Sequence, residues 1–431
     1  MNPTKAGTSA RRGRFAVVLL FPALGLLAAL VLYPVGYSLV RSLLDAGGQW
    51  TGLGNYLRLF TDSGTFTALR NNLVWVIVAP TLVTVVGLMF AVLTERVRFA
   101  TAFKTVVFMP IAISFLASGV IFRMVYDQDP EKGIVNAVLV GLHDTFAPPS
   151  GYPDARPRPG EELSVIAGAL TTTGTHAPGA PAALPLVGVK AGDVPASASQ
   201  AAAPPPGSGL AGTVWLDFAS GGGGREGVID PGEKGLPGIS VEAVIGDRVA
   251  ATAMTRSDGT FRFAGLTSGG FRLRLPEANF AQPYAGVTWL GPGLVTPSII
   301  AAYLWIYAGF AMVLIAAGLA AIPRDSLEAA RIDGASEWQV FRRITVPLLA
   351  PVLGVVFVTL VINVLKIFDL VYILAPGSVQ SNATVLALQL WNVSFGGGND
   401  QGMGSAIGIV LFVLVLPAML FNLRRFRREQ R

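Results

Sequence analysis

Six apolar runs carry no Lys, Arg, Asp or Glu: residues 15–40, 73–94, 105–122, 294–322, 344–365 and 402–423. A helix needs about 20 apolar residues to cross the hydrocarbon core of a bilayer. Each run therefore predicts a membrane-spanning helix. The balance of residues agrees, with 13% charged and a mean hydropathy of +0.57, against roughly 25% charged in soluble domains. The first run follows Arg11, Arg12 and Arg14. It is too long for a signal peptide, and no small-residue cleavage site follows it. It is expected to be a retained helix.

Net charge is +6, and the positions of the cations say why. Arg11, Arg12 and Arg14 precede span 1. Arg96, Arg98 and Lys104 lie between spans 2 and 3, and Arg324, Arg331, Arg342 and Arg343 between spans 4 and 5. Arg424, Arg425, Arg427, Arg428 and Arg431 follow span 6. With six spans all four groups fall on one side, which the positive-inside rule assigns to the cytoplasm. Both termini are then cytoplasmic, and 41–72, 123–293 and 366–401 are extracytoplasmic. The basic balance needs no nucleic acid. There is no cysteine, so disulfides, thiolate metal sites and cysteine nucleophiles are excluded. The two histidines, His143 and His176, lie far from the cytoplasmic polar loop. No catalytic constellation is expected.

That loop reads IPRDSLEAARIDGASEWQVFRRITVPLLAP, residues 322–351. Asp325 and Glu328 have the spacing of a capping pair at a helix start. Residues 327–332 then form a compact helix, which Gly334 ends in a left-handed conformation. Ser336 and Gln339 repeat the capping spacing. Trp338, Val340, Phe341 and Ile344 supply an apolar face, and Pro347 and Pro351 open the next span. Ala329 and Ala330 keep one face small, so another protein could approach closely. On spacing alone an ordinary interfacial loop fits as well.

The run of Glu328, Ala329, Ala330, Asp333, Gly334, Ala335, Phe341, Ile344 and Pro347 resembles the signature loop of binding-protein-dependent ABC importer permeases. The resemblance implies a coupling helix that docks into a separate ATPase, with Glu328 and Gly334 as its characteristic residues. GLGNYLRLF (52–60), ALRNNLVWV (68–76), FMPIAISFLASGVIFRMVY (108–126) and GFAMVLIAAGLAAIP (309–323) resemble the sugar-importer branch related to the maltose transporter. VINVLKIFDLVYIL (361–374) and FNLRRFRREQ (421–430) are similar to alpha-glucoside permeases. The family implies a second, homologous permease subunit, an ABC ATPase dimer holding ATP and Mg, and an extracytoplasmic sugar-binding protein. The chain has no GxxxxGK[ST] phosphate cradle, so it binds no nucleotide of its own and is not the ATPase. GGGGR (221–225) lacks the Lys and the Ser or Thr.

Polar groups within a span are costly and usually functional. Asn363, Lys366, Asp369 and Tyr372 follow at steps of three on one expected helix, with Phe368 beside them. Together they offer hydroxyl-pairing groups and aromatic faces for a sugar. A structural Lys366–Asp369 pair is the alternative, because i,i+3 charges are neighbours. The related maltose permease implies this region only, not the individual contacts. Ser114 and Ser118 are weaker candidates, since small hydroxyl residues also serve helix packing. Trp391 and Asn392 are expected outside, where a binding protein could meet them.

The segment between spans 3 and 4 is a soluble insertion. Residues 1–145 and 285–431 form the two permease parts, and 146–209, rich in Pro, Ala and Gly, read as linker. Within that linker LSVIAGAL (163–170) and LPLVGVK (184–190) carry strand-like runs. Residues 210–280 show short alternating runs between turns, the pattern of a β-sandwich. GTVWLDF, PGEKGLPGISV, TRSDGTFRFAGL and SGGFRLRL resemble the B-type repeat of bacterial surface adhesins, a prealbumin-like fold. That resemblance implies calcium at Asp217, Asp230, Glu233 and Asp258, although FASGGGGREG stands where the family has an Asp/Asn-rich run. The expected fold is thus an all-α polytopic membrane protein of six helices with an inserted extracytoplasmic all-β sandwich. The alternatives are a permease for another solute class and a membrane-anchored adhesion or sensor protein.

Overall fold

The structure is a computed structural model that describes residues 20–95, 98–160, 162–190, 192–204, 209–219 and 224–429. Arg11, Arg12, Arg14, Arg96, Arg431 and residues 15–19 and 221–223 lie outside the described residues. The chain divides into two compact units, Met1–Val135 with Val287–Arg431, and Asn136–Gly286.

The first unit is helical. Among the described residues five helices are long and apolar enough to span a bilayer: Leu20–Arg41 (α1), Ser63–Thr94 (α3), Val295–Ala320 (α7), Glu337–Leu365 (α9) and the Gln401–Leu420 part of Gln401–Glu429 (α13). Short helices Gly54–Thr61 (α2), Arg324–Ile332 (α8), Asp369–Leu374 (α10), Gln380–Ala383 (α11) and Leu386–Ser394 (α12) connect them.

The expected third span departs from a straight helix. It consists of Ala100–Phe108 (α4), continued as a 3-10 turn to Ala112, and Phe115–Val125 (α5), bent by 104°. Ile113 and Ser114 between them are extended. Pro110 has no N–H to give the helical ladder. The Ser114 hydroxyl restarts it by accepting from the Ala117 N–H at 3.2 Å. That hydroxyl is a helix cap.

α7 is the centre of this unit. Tyr303, Met312 and Ile315 pack with Trp75, Ala79 and Val83 of α3 and with Leu349, Val356 and Leu360 of α9. Gly87 makes the close crossing possible, since a Cβ there would lie 2.5 Å from the Ala311 Cβ. Polar tethers fix the connecting segments. Asn71 donates to the Asn382 and Thr384 carbonyls at 2.8 and 2.9 Å, and Asn72 accepts from the Leu386 N–H at 2.6 Å. Asn55 donates to the Ser42 and Leu44 carbonyls. Arg58 pairs with Asp400 at 2.7 Å, and Asp400 caps α13 by accepting from the Met403 N–H. Buried polar groups need such partners, or the desolvation cost is unrecovered.

The second unit opens with the helix Ile134–Phe146 (α6), whose first two residues belong to the helical unit. Among the described residues ten strands follow in two sheets. One has the order β1 (Arg156–Pro157), β4 (Ala182–Val187), β5 (Ala211–Leu216), β6 (Lys234–Gly235), with β9 (Thr260–Arg262) also paired to β5. The other runs β2 (Leu163–Ile166), β3 (Ala169–Thr172), β10 (Arg272–Leu275), β7 (Ser240–Ile245), β8 (Arg248–Met254). The sheets share one core, with Leu184, Leu186, Val214 and Phe261 from one and Leu170, Val241, Leu273 and Leu275 from the other. Each such buried side chain contributes about 1.5–3 kcal/mol.

Residues 146–209 are therefore not a linker. They supply β1–β4, which contribute to both sheets. β4 pairs in parallel with β5, Leu184 opposite Val214, and β3 pairs with β10, Leu170 opposite Leu275. The unit extends well upstream of residue 210, because its inner strands need these partners.

Candidate functional site

Two polar regions lie at the two ends of α9. At its start is the loop of Glu328, Ala329, Ala330, Asp333, Gly334 and Ala335. α8 begins at Arg324, after Pro323, with no side-chain cap. The expected Asp325–Glu328 capping pair is thus absent. Asp325 instead sits in the first turn, where a negative charge suits the positive end of the helix dipole. The helix ends as the sequence predicts. Gly334 has φ +82°, its N–H reaches the Arg331 carbonyl at 3.1 Å, and the Ala335 N–H reaches Ala330 at 3.0 Å. This doubly bonded closure requires a left-handed residue, which glycine adopts without a Cβ penalty.

Two residues later α9 starts with a full capping box. Ser336 accepts from the Gln339 N–H, and the Gln339 side chain accepts from the Ser336 N–H at 2.8 Å. Arg331 bridges the turn to Glu337 with its Nε 2.8 Å from Oε1. The Glu337 hydrogen bond is the chief cause that raises the Arg331 pKa. Trp338 stacks on Phe341, ring centres 5.6 Å apart. Val340 is buried, whereas Glu328, Ala329, Ile332 and Trp338 are exposed. A groove of about 570 Å³ lies beside α8, rimmed by Glu95, Arg324, Glu328 and Arg331. The arrangement is a short, tightly closed helix that presents small, apolar and acidic side chains outward.

At the other end of α9 the expected continuous stripe is broken. α9 ends at Leu365, Lys366 is its C-cap, Phe368 has φ −138° and ψ −64°, and α10 begins at Asp369. Asn363 is half-buried on α9. Lys366 is exposed at the break, and Asp369 and Tyr372 are exposed on α10. Their three-residue steps therefore do not lie along one helix. No ion pair joins Lys366 to Asp369 among the described residues.

The aromatic residues do come together. Phe368 stacks on Tyr372 at 5.6 Å with planes 8° apart, and meets Trp391 of α12 edge-on at 6.1 Å. Trp391 lies 5.2 Å from Phe395. Trp391, expected outside where a binding protein could meet it, extends with its ring the row begun by Tyr372 and Phe368. The i,i+4 pair of Trp391 and Phe395 was the available signal. Aromatic faces beside an amide, an ammonium and a carboxylate can hold a polyol with apolar C–H faces. Ser118 on α5 is buried, and its hydroxyl has no hydrogen-bond partner among the described residues.

The four carboxylates considered for calcium are held by protein donors. The Arg158 Nε lies 2.6 Å from Asp217, which also accepts from the Gly227 N–H. Arg225 pairs with Asp230 at 3.1 Å. Glu233 accepts from the Trp215 indole at 3.1 Å and from the Asp230 N–H at 2.9 Å. Asp258 accepts from Thr260. Burial pushes the Glu233 carboxyl above its ordinary range, although the Asp230 N–H pulls the other way. Among the described residues no three His, Cys, Asp or Glu side chains form a group that could hold a metal. Calcium takes six to eight oxygen ligands; of these carboxylates the Glu233 Oε1 is buried with no hydrogen-bond partner among the described residues.

The sequence and fold have known relatives. Residues 259–426 match the family described as the binding-protein-dependent transport system inner membrane component. The osmoprotective compounds uptake permease of Synechocystis sp. is 26% identical over 417 residues, 95% of this chain and 98% of its own. The alpha-glucoside transport system permease of Rhizobium meliloti is 28% identical over 415 residues, 95% of this chain and 82% of its own. A putative ABC transporter permease of Caldicellulosiruptor sp. is 32% identical over 139 residues, 32% of this chain and 99% of its own. A bacterial ABC transporter that imports the acidic polysaccharide alginate contains a chain of the same fold. Its TM-score is 0.55 at 16% identity, covering 97% of this chain and 98% of that one. With a loop closed as the signature motif requires, at the head of a long apolar helix, the chain belongs to the binding-protein-dependent transport system inner membrane components, the permease subunits of ABC transporters.

Proposed function

We propose that this permease serves an ATP-driven sugar importer, with alpha-glucosides as the substrate class. The closed loop from Arg324 to Thr345 carries the coupling half of this reading. Its backbone is fixed at both helix ends, and its exposed face holds Glu328, Ala329, Ile332 and Trp338. An ATPase groove that accepts α8 moves α9 with it, because the Arg331–Glu337 pair and the capping box transmit displacement across the turn. ATP and Mg belong to the partner ATPase dimer. This chain makes no covalent bond to its cargo.

A homologous second permease subunit completes the pathway, and an extracytoplasmic binding protein delivers the sugar. ATPase closure opens the cavity outward; hydrolysis and reopening turn it inward. Asn363, Lys366, Asp369 and Tyr372, with Phe368 and Trp391, are the groups assigned to sugar. The clustered cations support cytoplasmic termini and an extracytoplasmic β unit. The strand motifs support an adhesin B-type origin for residues 210–280, acting as a spacer or docking module.

A second solute class is favoured by one observation. The Synechocystis relative, covered over 98% of its length, takes up osmoprotective compounds. Uptake by the transporter reconstituted with its partners, across alpha-glucosides and compatible osmolytes, separates the two. Competition by alpha-glucosides alone supports the first reading; competition by osmolytes alone replaces it. Transport of neither class overturns both.

A further inference from the structure

α6 carries an apolar face that the chain leaves open. Ile134, Val138, Leu142 and Phe146 recur every fourth residue and are 65%, 64%, 58% and 82% exposed. At 3.6 residues per turn they form one gently rotating stripe. Thr145, also exposed, lies within the same arc, and the small residues Gly141 and Ala137 flank it. Off the stripe, Leu139 and Val140 are half-buried, and other residues are engaged. Val135 packs on the helical core, and Asn136 is buried against Gly286. The His143 ring stacks on Tyr284 at 4.5 Å and meets Asp144 at 3.1 Å. Asp144 is the helix's one carboxylate, and no Lys or Arg lies between 134 and 146.

We propose that α6 lies in the membrane–water interface, its Ile134–Phe146 stripe against the acyl chains of the leaflet from which span 3 emerges. Thirteen residues are too few to cross a bilayer, and a one-sided apolar helix is the form that lies in the interface. Position favours lipid over a protein partner. Span 3 ends at Val125, and only residues 126–133 separate it from α6. Fully extended they reach about 27 Å, and they are not extended. The Gly133 N–H folds back to the Asp129 carbonyl, and Lys132 pairs with Asp129 at 2.7 Å. α6 therefore begins close to the membrane surface. Leu116, Val120 and Met124 on α5 form an exposed stripe with the same four-residue step, up to its last turn. Without a basic residue on the helix, binding draws on apolar burial and needs no anionic lipid.

The lipid contact rests on the spanning assignment of α4–α5; which leaflet it uses rests on the orientation proposed above. The chain has no cysteine, so single introduced thiols report singly. The test places a nitroxide on Val138→Cys, Leu142→Cys and Glu131→Cys in the assembled transporter, in phosphatidylcholine nanodiscs. Relaxation by oxygen and by a water-soluble nickel chelate is measured at each. The expected result is several-fold greater oxygen-to-nickel accessibility at 138 and 142 than at 131, unchanged by added anionic lipid. Nickel-dominated relaxation at 138 and 142 overturns the proposal in favour of water. Loss of both relaxations overturns it in favour of a covering protein. Labelling of Glu131→Cys in sealed vesicles by an impermeant maleimide is expected from outside only. Labelling only from inside reverses the orientation but leaves the lipid contact standing.

Discussion

The two ends of α9 differ in what holds them. At Glu337 everything is local: a left-handed glycine, a capping box and an ion pair six residues apart. At Leu365 the helix stops without a proline or a glycine. The residues beyond it are arranged by a distant segment, through the Phe368–Trp391 contact. One end is a rigid handle specified by its own sequence. The other is a ring cluster that exists only when α10 and α12 are docked. On the proposed coupling reading this asymmetry has a use: force would enter at the handle, and the proposed cargo site would rearrange.

Predictions at each end sharpen the contrast. The largest effect is expected at the handle. Gly334→Val forces a β-branched residue to φ +82°, a cost of roughly 1–2 kcal/mol or more. Transport should fall at least about tenfold while the protein still inserts, as read by membrane-fraction yield beside uptake rate. A smaller effect follows at the far end. Trp391→Ala removes two ring contacts of about 0.5–1.5 kcal/mol each. The half-saturating sugar concentration should rise several-fold with basal ATP hydrolysis unchanged. An equal loss of basal hydrolysis would show that the two ends are not separable.

Asp400 tests the tethers that dock the far end. Burial works to raise its carboxyl pKa, but the Met403 N–H and Arg58 outweigh burial and hold it below the usual range. A carboxylate with a lowered folded pKa adds stability above about pH 4, and that stability is lost as pH falls through the folded value. Thermal unfolding of the wild type should therefore shift down below about pH 4, and Asp400→Asn should lack that part of the slope. The variant should cost about 1 kcal/mol at neutral pH, since Arg58 is half exposed. The smallest effect is Ser336→Ala. Losing the cap costs about 1 kcal/mol locally, and Gly334 and the Arg331–Glu337 pair still close the turn. Uptake should drop less than about threefold.

The same contrast explains what the sequence disclosed. Gly334, Ser336 and Gln339 were readable because cap chemistry acts within four residues. The break in span 3 was readable in principle from Pro110 and Ser114, but the apolar run masked it. The stripe from Asn363 to Tyr372 was misjudged because nothing between Lys366 and Phe368 marks a helix end. Strands β1–β4 were lost in a Pro, Ala and Gly background. Their partners lie as far away as Leu275, so no local pattern declares them. Asn55, Arg58, Asn71 and Asn72 carry no role in the sequence reading, since their partners lie beyond local reach: carbonyls for Asn55 and Asn71, the Asp400 carboxylate for Arg58, and the Leu386 N–H for Asn72.

The most direct test of the coupling account is ATP hydrolysis by the reconstituted complex, with and without sugar-loaded binding protein, for wild type and Glu328→Lys. Among the described residues Glu328 is exposed on α8 and makes no hydrogen bond or ion pair in the loop, though its charge favours that of Arg331; membrane-fraction yield checks that the variant still inserts. The account predicts sugar-stimulated hydrolysis in the wild type and its loss in the variant, with the complex still inserted. Full stimulation and normal uptake in Glu328→Lys would contradict it.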